Sequence, residues 1–159
     1  MKHLPKHLQP RWRYLGVELE TWPDTDIERR AFQRELWYAA QDLIGDAGSA
    51  ALDLTVYTFE FEDGRGGAVV RTHRGETARA RAAIATLSAV DGDPVGVRVR
   101  GVSGTARACE EKYIRHATEA PEQRQVVFRE AEYDAVVRAE RVDVRTDDGF
   151  SGVTDLDCQ

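Results

Sequence analysis

The chain has 159 residues, about one domain's worth, and 42% of them are apolar. That content suffices for a packed core and excludes wholesale disorder. No apolar run approaches the roughly 18 residues of a membrane span, and no apolar segment follows the basic start as in a secretory signal. Two cysteines, Cys109 and Cys158, are too few for a disulfide scaffold and suit a reducing cytoplasm. At face value, the net charge of −6 argues against a nucleic-acid partner.

The charge is uneven along the chain. Residues 1–16 carry four bases and no acid, and residues 95–116 carry five bases against two acids. Residues 17–94 carry fifteen acids against eight bases, and residues 117–159 eleven against five. Local patches, rather than the total, decide where phosphates bind. There are 19 Arg and only 3 Lys. An acid surplus with scarce lysine fits a protein kept soluble in concentrated salt; a GC-rich genome also favours arginine.

In chain order, residues 1–12 hold two prolines and four bases and read as an extended arm. Residues 13–20 alternate, with Leu15, Val17 and Leu19 on one side, as a strand does. Thr25 and Glu28 fit a capping box, Phe32, Leu36, Ala40 and Leu43 recur at helical spacing, and Gly45 offers a stop. Residues 53–61 and 68–73 read as a hairpin around Asp63-Gly64. The first of these strands carries Leu54 and Val56 at one parity and Tyr57, Phe59 and Phe61 at the other, so both sheet faces are expected to be covered.

Residues 75–90 read as an alanine-rich helix and 95–102 as a strand that places Arg98 and Arg100 on one face. A charged helix follows Ser103-Gly104-Thr105 and ends near His116. The order β-α-β-β-α-β-α predicts an α/β sandwich of ferredoxin-like plan with an added helix. In residues 117–159 only short alternating segments stand out, at 126–128, 133–138 and 141–145, which predicts a small hairpin or meander in a partly ordered acidic extension.

The basic arm and the 98–115 stretch are the sites with chemistry. Paired guanidinium forks match phosphate oxygens. The turn Ser103-Gly104-Thr105 exposes backbone N–H groups, although Ser103 or Thr105 also serves as an ordinary cap and the arginines have local glutamates to pair with. The returning strand (AVVRTH) lacks the stacking aromatics of an RNA-reading sheet, and Trp12, Tyr14, Trp37 and Tyr38 read as core or interface residues. His3 and His7 have helical spacing but sit on a proline-containing arm without an acid, so no metal site is expected. Cys109 has no histidine at motif distance, and no phosphate loop with a following lysine is present. A basic-patched module without a catalytic set reads as a subunit or binding module. A protein-interaction or small-ligand domain without RNA contact is the alternative; a stand-alone metal nuclease is a third reading.

Residues 1–20 (MKHLPKHLQPRWRYLGVELE), 32–48 (FQRELWYAAQDLIGDAG) and 98–114 (RVRGVSGTARACEEKYI) in combination resemble archaeal ribonuclease P protein component 2, in its haloarchaeal branch. The resemblance spans residues 1–116. It implies an RRM-like domain over 13–116, with the acidic extension outside the shared core. It further implies a partner, ribonuclease P protein component 3, in a heterotetramer, other protein components, and binding to the ribonuclease P RNA. That holoenzyme removes 5′ leaders from precursor tRNA by RNA-based hydrolysis with Mg²⁺, so the chain itself is expected to bind no cofactor and to hold no catalytic residue. The matched positions are Arg13, Tyr14, Ser103, Gly104 and Thr105. Lys6, Arg11, Arg98, Arg100, Arg107 and Lys112 are expected RNA contacts on electrostatic grounds alone.

Overall fold

The computed structural model describes residues 4–115 and 121–158. The chain divides into two compact units, residues 1–116 and 117–159.

The first unit runs β1 (Trp12–Glu20), α1 (Arg29–Leu52), β2 (Thr55–Glu62), β3 (Arg65–His73) and α2 (Thr77–Ala85). A two-residue ribbon, β4 (Ala89–Val90) with β5 (Asp93–Pro94), then leads to β6 (Gly96–Ser103). The order across the sheet is β2-β3-β1-β6, antiparallel throughout, which is the ferredoxin-like arrangement expected. Period-two alternation buries Leu15, Val17 and Leu19 completely. They pack on Phe32, Leu36 and Ala40 of α1 and on Ala80, Ala83 and Ile84 of α2. The alanines of α2 let that helix lie close to the sheet, as their number suggests.

Several boundaries differ from the sequence reading. The helix begins at Arg29 with Glu28 as an extended N-cap that makes no side-chain cap hydrogen bond, so Thr25 and Glu28 do not form a capping box. Gly45 does interrupt α1: at φ 74°, ψ 176° it leaves helical geometry, and a second helical segment, not expected from the sequence, runs on to Leu52, where left-handed Asp53 closes it. The alanine-rich helix ends at Ala85 because residues 89–94 turn back on themselves through Asp91 and Gly92, both at positive φ.

The parity of β2 is also broken. A bulge between Val56 and Thr58 shifts the register against β3 by one residue. Phe59 and Phe61 therefore join Leu54 and Val56 on the helix-covered face and pack against its core. The strand is not apolar on both sides.

The second face is covered nonetheless. After β6 the chain forms α3 (Ala106–Cys109) and continues directly into a π-helical turn, Glu110–Ile114. Its side chains enter a depression made by three glycines: a Cβ on Gly16 would lie 2.6 Å from the Tyr113 Cβ, one on Gly67 2.8 Å from the Ile114 Cδ1, and one on Gly101 2.1 Å from the Tyr113 hydroxyl. The end of this helix expected near His116 lies outside the described residues.

The second unit is a four-stranded antiparallel meander of β7 (Glu122–Phe128), β8 (Ala131–Arg138), β9 (Arg141–Thr146) and β10 (Gly149–Val153). Val126, Ala135, Val142 and Val144 form its small core. Arg129 and Glu130 both take positive φ, as a two-residue hairpin turn that follows the strand twist requires. The ordered part is larger than the three short segments visible in the sequence.

Candidate nucleic-acid interface

Lys6 lies in a short 3₁₀ turn (Lys6–Leu8), and it and Arg11 are exposed. Arg13 enters β1 half-buried, its Nη1 donating to the Trp12 carbonyl at 3.0 Å. Tyr14 pairs in register with Ser103 across β1 and β6, so the arm's exit and the Ser103-Gly104-Thr105 turn share one end of the sheet. Gly104 is exposed with open space around it. Thr105 is an ordinary N-cap: its Oγ1 accepts from the Ala108 N–H at 3.2 Å. Two of the helix cations have local partners or supports. Arg107 donates to Glu111 at 3.1 Å, one helical turn on, and the Lys112 ammonium sits 5.3 Å from the Tyr113 ring.

Arg98 lies toward the other end of β6 and Arg100 near its middle. Arg98 is opposite Glu18, and the register shifts between Gly16 and Val17 so that Arg100 is the unpaired bulge residue of β6. Arg100 pairs with Glu18 at 2.9 Å. Arg98 is exposed and has no ion-pair partner among the described residues. Glu18 is six residue steps along β1 from Trp12, a span of about 20 Å. The expected contacts therefore form two clusters rather than one: the Arg98–Arg100 pair, and the arm with the Ser103–Thr105 turn.

The second cluster contains groups the sequence reading passed over. Trp12 stacks on His73 across β1 and β3, ring centroids 4.2 Å apart and planes 19° from parallel. The Arg71 guanidinium lies 4.0 Å from the centroid of the same indole. Tyr14 meets Tyr57 edge to face at 5.6 Å. Neither His73 nor Arg71 forms an aromatic stripe in the sequence, and only the antiparallel register, which pairs Trp12 with His73, joins them.

The model of the Rpp14/Pop5 family matches residues 13–114. The chain is 66% identical over 157 residues to ribonuclease P protein component 2 of Natronomonas pharaonis, covering 99% of this chain and 98% of that one. It is 61% identical to the protein of that name from Haloarcula marismortui, over 99% of each. A more distant relative of that name, from Methanosarcina barkeri, is 29% identical over 77% of this chain and 86% of its own. The chain belongs to the Rpp14/Pop5 family. The Rpp14/Pop5 match ends at Ile114, the last residue of the π-helical turn, so the β7–β10 meander lies outside the family core. The haloarchaeal relatives run through it, since they cover nearly the whole chain.

One buried polar group of this Rpp14/Pop5 core has a shifted titration. Cys109 is fully buried and its Sγ lies 3.6 Å from the Tyr14 carbonyl, to which it donates. Burial, with help from the Glu110 carboxylate, pushes its thiol from 9.0 up to about 11. The thiolate is the reactive form, so Cys109 is a packing residue near neutral pH. Because the folded value lies above the unfolded one, its contribution to stability is full below pH 9.0 and lost as pH rises toward about 11. Cys158 is partly exposed. A thiol reagent near neutral pH is expected to label Cys158 quickly and Cys109 only on unfolding, read by mass spectrometry of peptides. Equal rates in the folded protein would contradict the assignment.

Proposed function

We propose that the chain is an RNA-supporting protein subunit of ribonuclease P, the ribonucleoprotein that removes 5′ leaders from precursor tRNA, and contributes no catalytic residue itself. Its likeness over nearly its whole length to ribonuclease P protein component 2 of Natronomonas pharaonis carries this reading. Among the described residues no group of three His, Cys, Asp or Glu is placed to hold a metal ion, and no helix is long and apolar enough to cross a membrane. In this reading Mg²⁺ serves the RNA, and the protein holds the RNA in its working geometry through Lys6, Arg11, Arg13, Arg98, Arg100, Arg107, Lys112 and the Ser103-Gly104-Thr105 turn.

Salt sets a constraint on how it binds. Phosphate contacts weaken steeply as salt rises, and the Debye length falls to about 3 Å at 1 M. Long-range steering is then nearly lost. Affinity has to come from direct contacts and from surfaces supplied together with a partner, for which ribonuclease P protein component 3 in a heterotetramer is the proposed occupant.

Reconstitution tests the reading: ribonuclease P RNA and the other protein components, with and without this chain, assayed on precursor tRNA. Cleavage at low Mg²⁺ is expected to require the chain. The isolated chain is expected to bind the RNA weakly, and the chain with component 3 strongly. Tight, salt-insensitive binding by the isolated chain, or cleavage indifferent to its presence, would sink the proposal and favour a protein-interaction domain without RNA contact.

A further inference from the structure

We infer that Trp12, His73 and Arg71 form a receptor for one unpaired nucleotide of RNA, with the base stacked on the His73 ring and its phosphate held by Arg71. The inference rests on the ribonuclease P reading and adds to it a site and a mode of recognition.

Three observations carry it. The first is a preassembled π-stack on the sheet surface. Trp12 and His73 lie face to face at 4.2 Å, and the His73 side chain remains 35% exposed. A flat ring fixed by its neighbours offers a base a stacking surface with little ordering cost. The second is an uncompensated cation. Arg71 lies on the Trp12 ring, its Nε is buried without a hydrogen-bond partner, and it has no carboxylate partner among the described residues. The Asp53 carboxylate lies 3.8 Å from the His73 Nε2, on the imidazole rather than on the guanidinium. The third is the surrounding charge. Arg74 and Arg11 are exposed and joined by a backbone hydrogen bond, the Arg74 N–H to the Arg11 carbonyl, at 2.8 Å, which keeps two further cations beside the stack.

The chemistry suits a nucleotide better than an acidic peptide. A peptide carboxylate would use the arginines and leave the exposed ring unmatched, whereas a nucleotide presents an anion and a flat π-surface together. The site also meets the salt constraint. Stacking is not screened by ions, so a base contact persists under conditions where phosphate steering has vanished. An unpaired nucleotide is required, because a base within a helix has both faces occupied.

The test compares two short single-stranded RNA oligonucleotides of equal length, one with bases and one abasic, by fluorescence anisotropy with the full-length chain in about 1 M KCl. The base-containing oligonucleotide is expected to bind about tenfold more tightly. His73→Ala is expected to abolish that difference, and Arg71→Gln to weaken both oligonucleotides while leaving the ratio. Equal affinity of the two oligonucleotides for the native chain, or no binding of either, overturns the inference without any variant. So does a ratio unchanged in His73→Ala of native melting temperature. Dependence of holoenzyme cleavage on the chain is measured separately, so loss of base discrimination with that dependence intact refutes this site alone and leaves the subunit reading standing.

Discussion

Replacing Gly16 by alanine is expected to destabilise the first unit by about 2 kcal/mol, although alanine is ordinarily the better residue in a strand. The sign is the informative part. In an open strand, Gly→Ala gains about 0.5–1 kcal/mol, chiefly by restricting the unfolded chain. Gly16 lies inside β1 at an ordinary strand conformation, so nothing but its surroundings opposes the change. Those surroundings are the Tyr113 side chain, with its Cβ 2.6 Å and its Cδ2 2.8 Å from where a methyl would sit. The Cβ is anchored to the π-helical turn and cannot swing aside, so the turn itself must lift.

The double substitution separates this cause from others. Tyr113→Gly alone removes the half-buried ring together with the Cβ that carries it, and leaves a void over Gly16 and Gly101. With that side chain gone, Gly16→Ala should cost little or become favourable, giving a coupling of at least about 1 kcal/mol in a denaturation cycle. Additive effects would show that the glycine is needed for something other than the helix seat. The glycines at 16, 67 and 101 thus connect packing to the proposed RNA contacts, because the helix they admit carries Arg107 and Lys112 and begins at the Ser103-Gly104-Thr105 turn.

The element order was legible in the sequence because each strand or helix carries its own period. Leu15, Val17 and Leu19 alternate, and Phe32, Leu36 and Ala40 recur by turns, so their buried sides follow directly. What escaped the sequence were departures from those periods. The β2 bulge at Tyr57 moved Phe59 and Phe61 to the other face, and no residue type marks a bulge of this kind. Gly45 interrupts the helix as its residue type suggests, but the helical segment after it, which ends with Leu52 in the core, carries too short an apolar pattern to be read. The seat for Tyr113 was hidden for a related reason: Gly16, Gly67 and Gly101 are scattered through the sequence and meet only in the sheet register. The basic residues were visible as residues but not as groups. Register divides them into two clusters, and only register brings Trp12 against His73.

Substitution of Arg98 and Arg100 is the second large expected effect, and it falls on activity rather than on folding. Both side chains are exposed, and the one ion pair involved, Arg100 with Glu18, is a surface pair. Such pairs contribute about 0–1 kcal/mol, so Arg98→Ala with Arg100→Ala should leave the melting temperature nearly unchanged. In reconstituted ribonuclease P the same double variant is expected to lose about tenfold or more in precursor-tRNA cleavage at low Mg²⁺, and far less at high Mg²⁺, where the ion takes over screening of the RNA phosphates. The log–log salt dependence of RNA binding by the assembled complex should become shallower by about 1.8 if each arginine neutralises one phosphate of a duplex region.

The two single variants should not be equivalent. Arg98 has no ion pair to break among the described residues, whereas Arg100 must exchange Glu18 for a phosphate, and that exchange returns part of the gain. Arg98→Ala is therefore expected to cost more than Arg100→Ala. Glu18→Gln, which frees Arg100, should strengthen RNA binding slightly and increase its salt dependence. Equal losses at low and high Mg²⁺, or a larger loss from Arg100→Ala than from Arg98→Ala, would show that these side chains do not meet RNA phosphates in the way their pairing dictates.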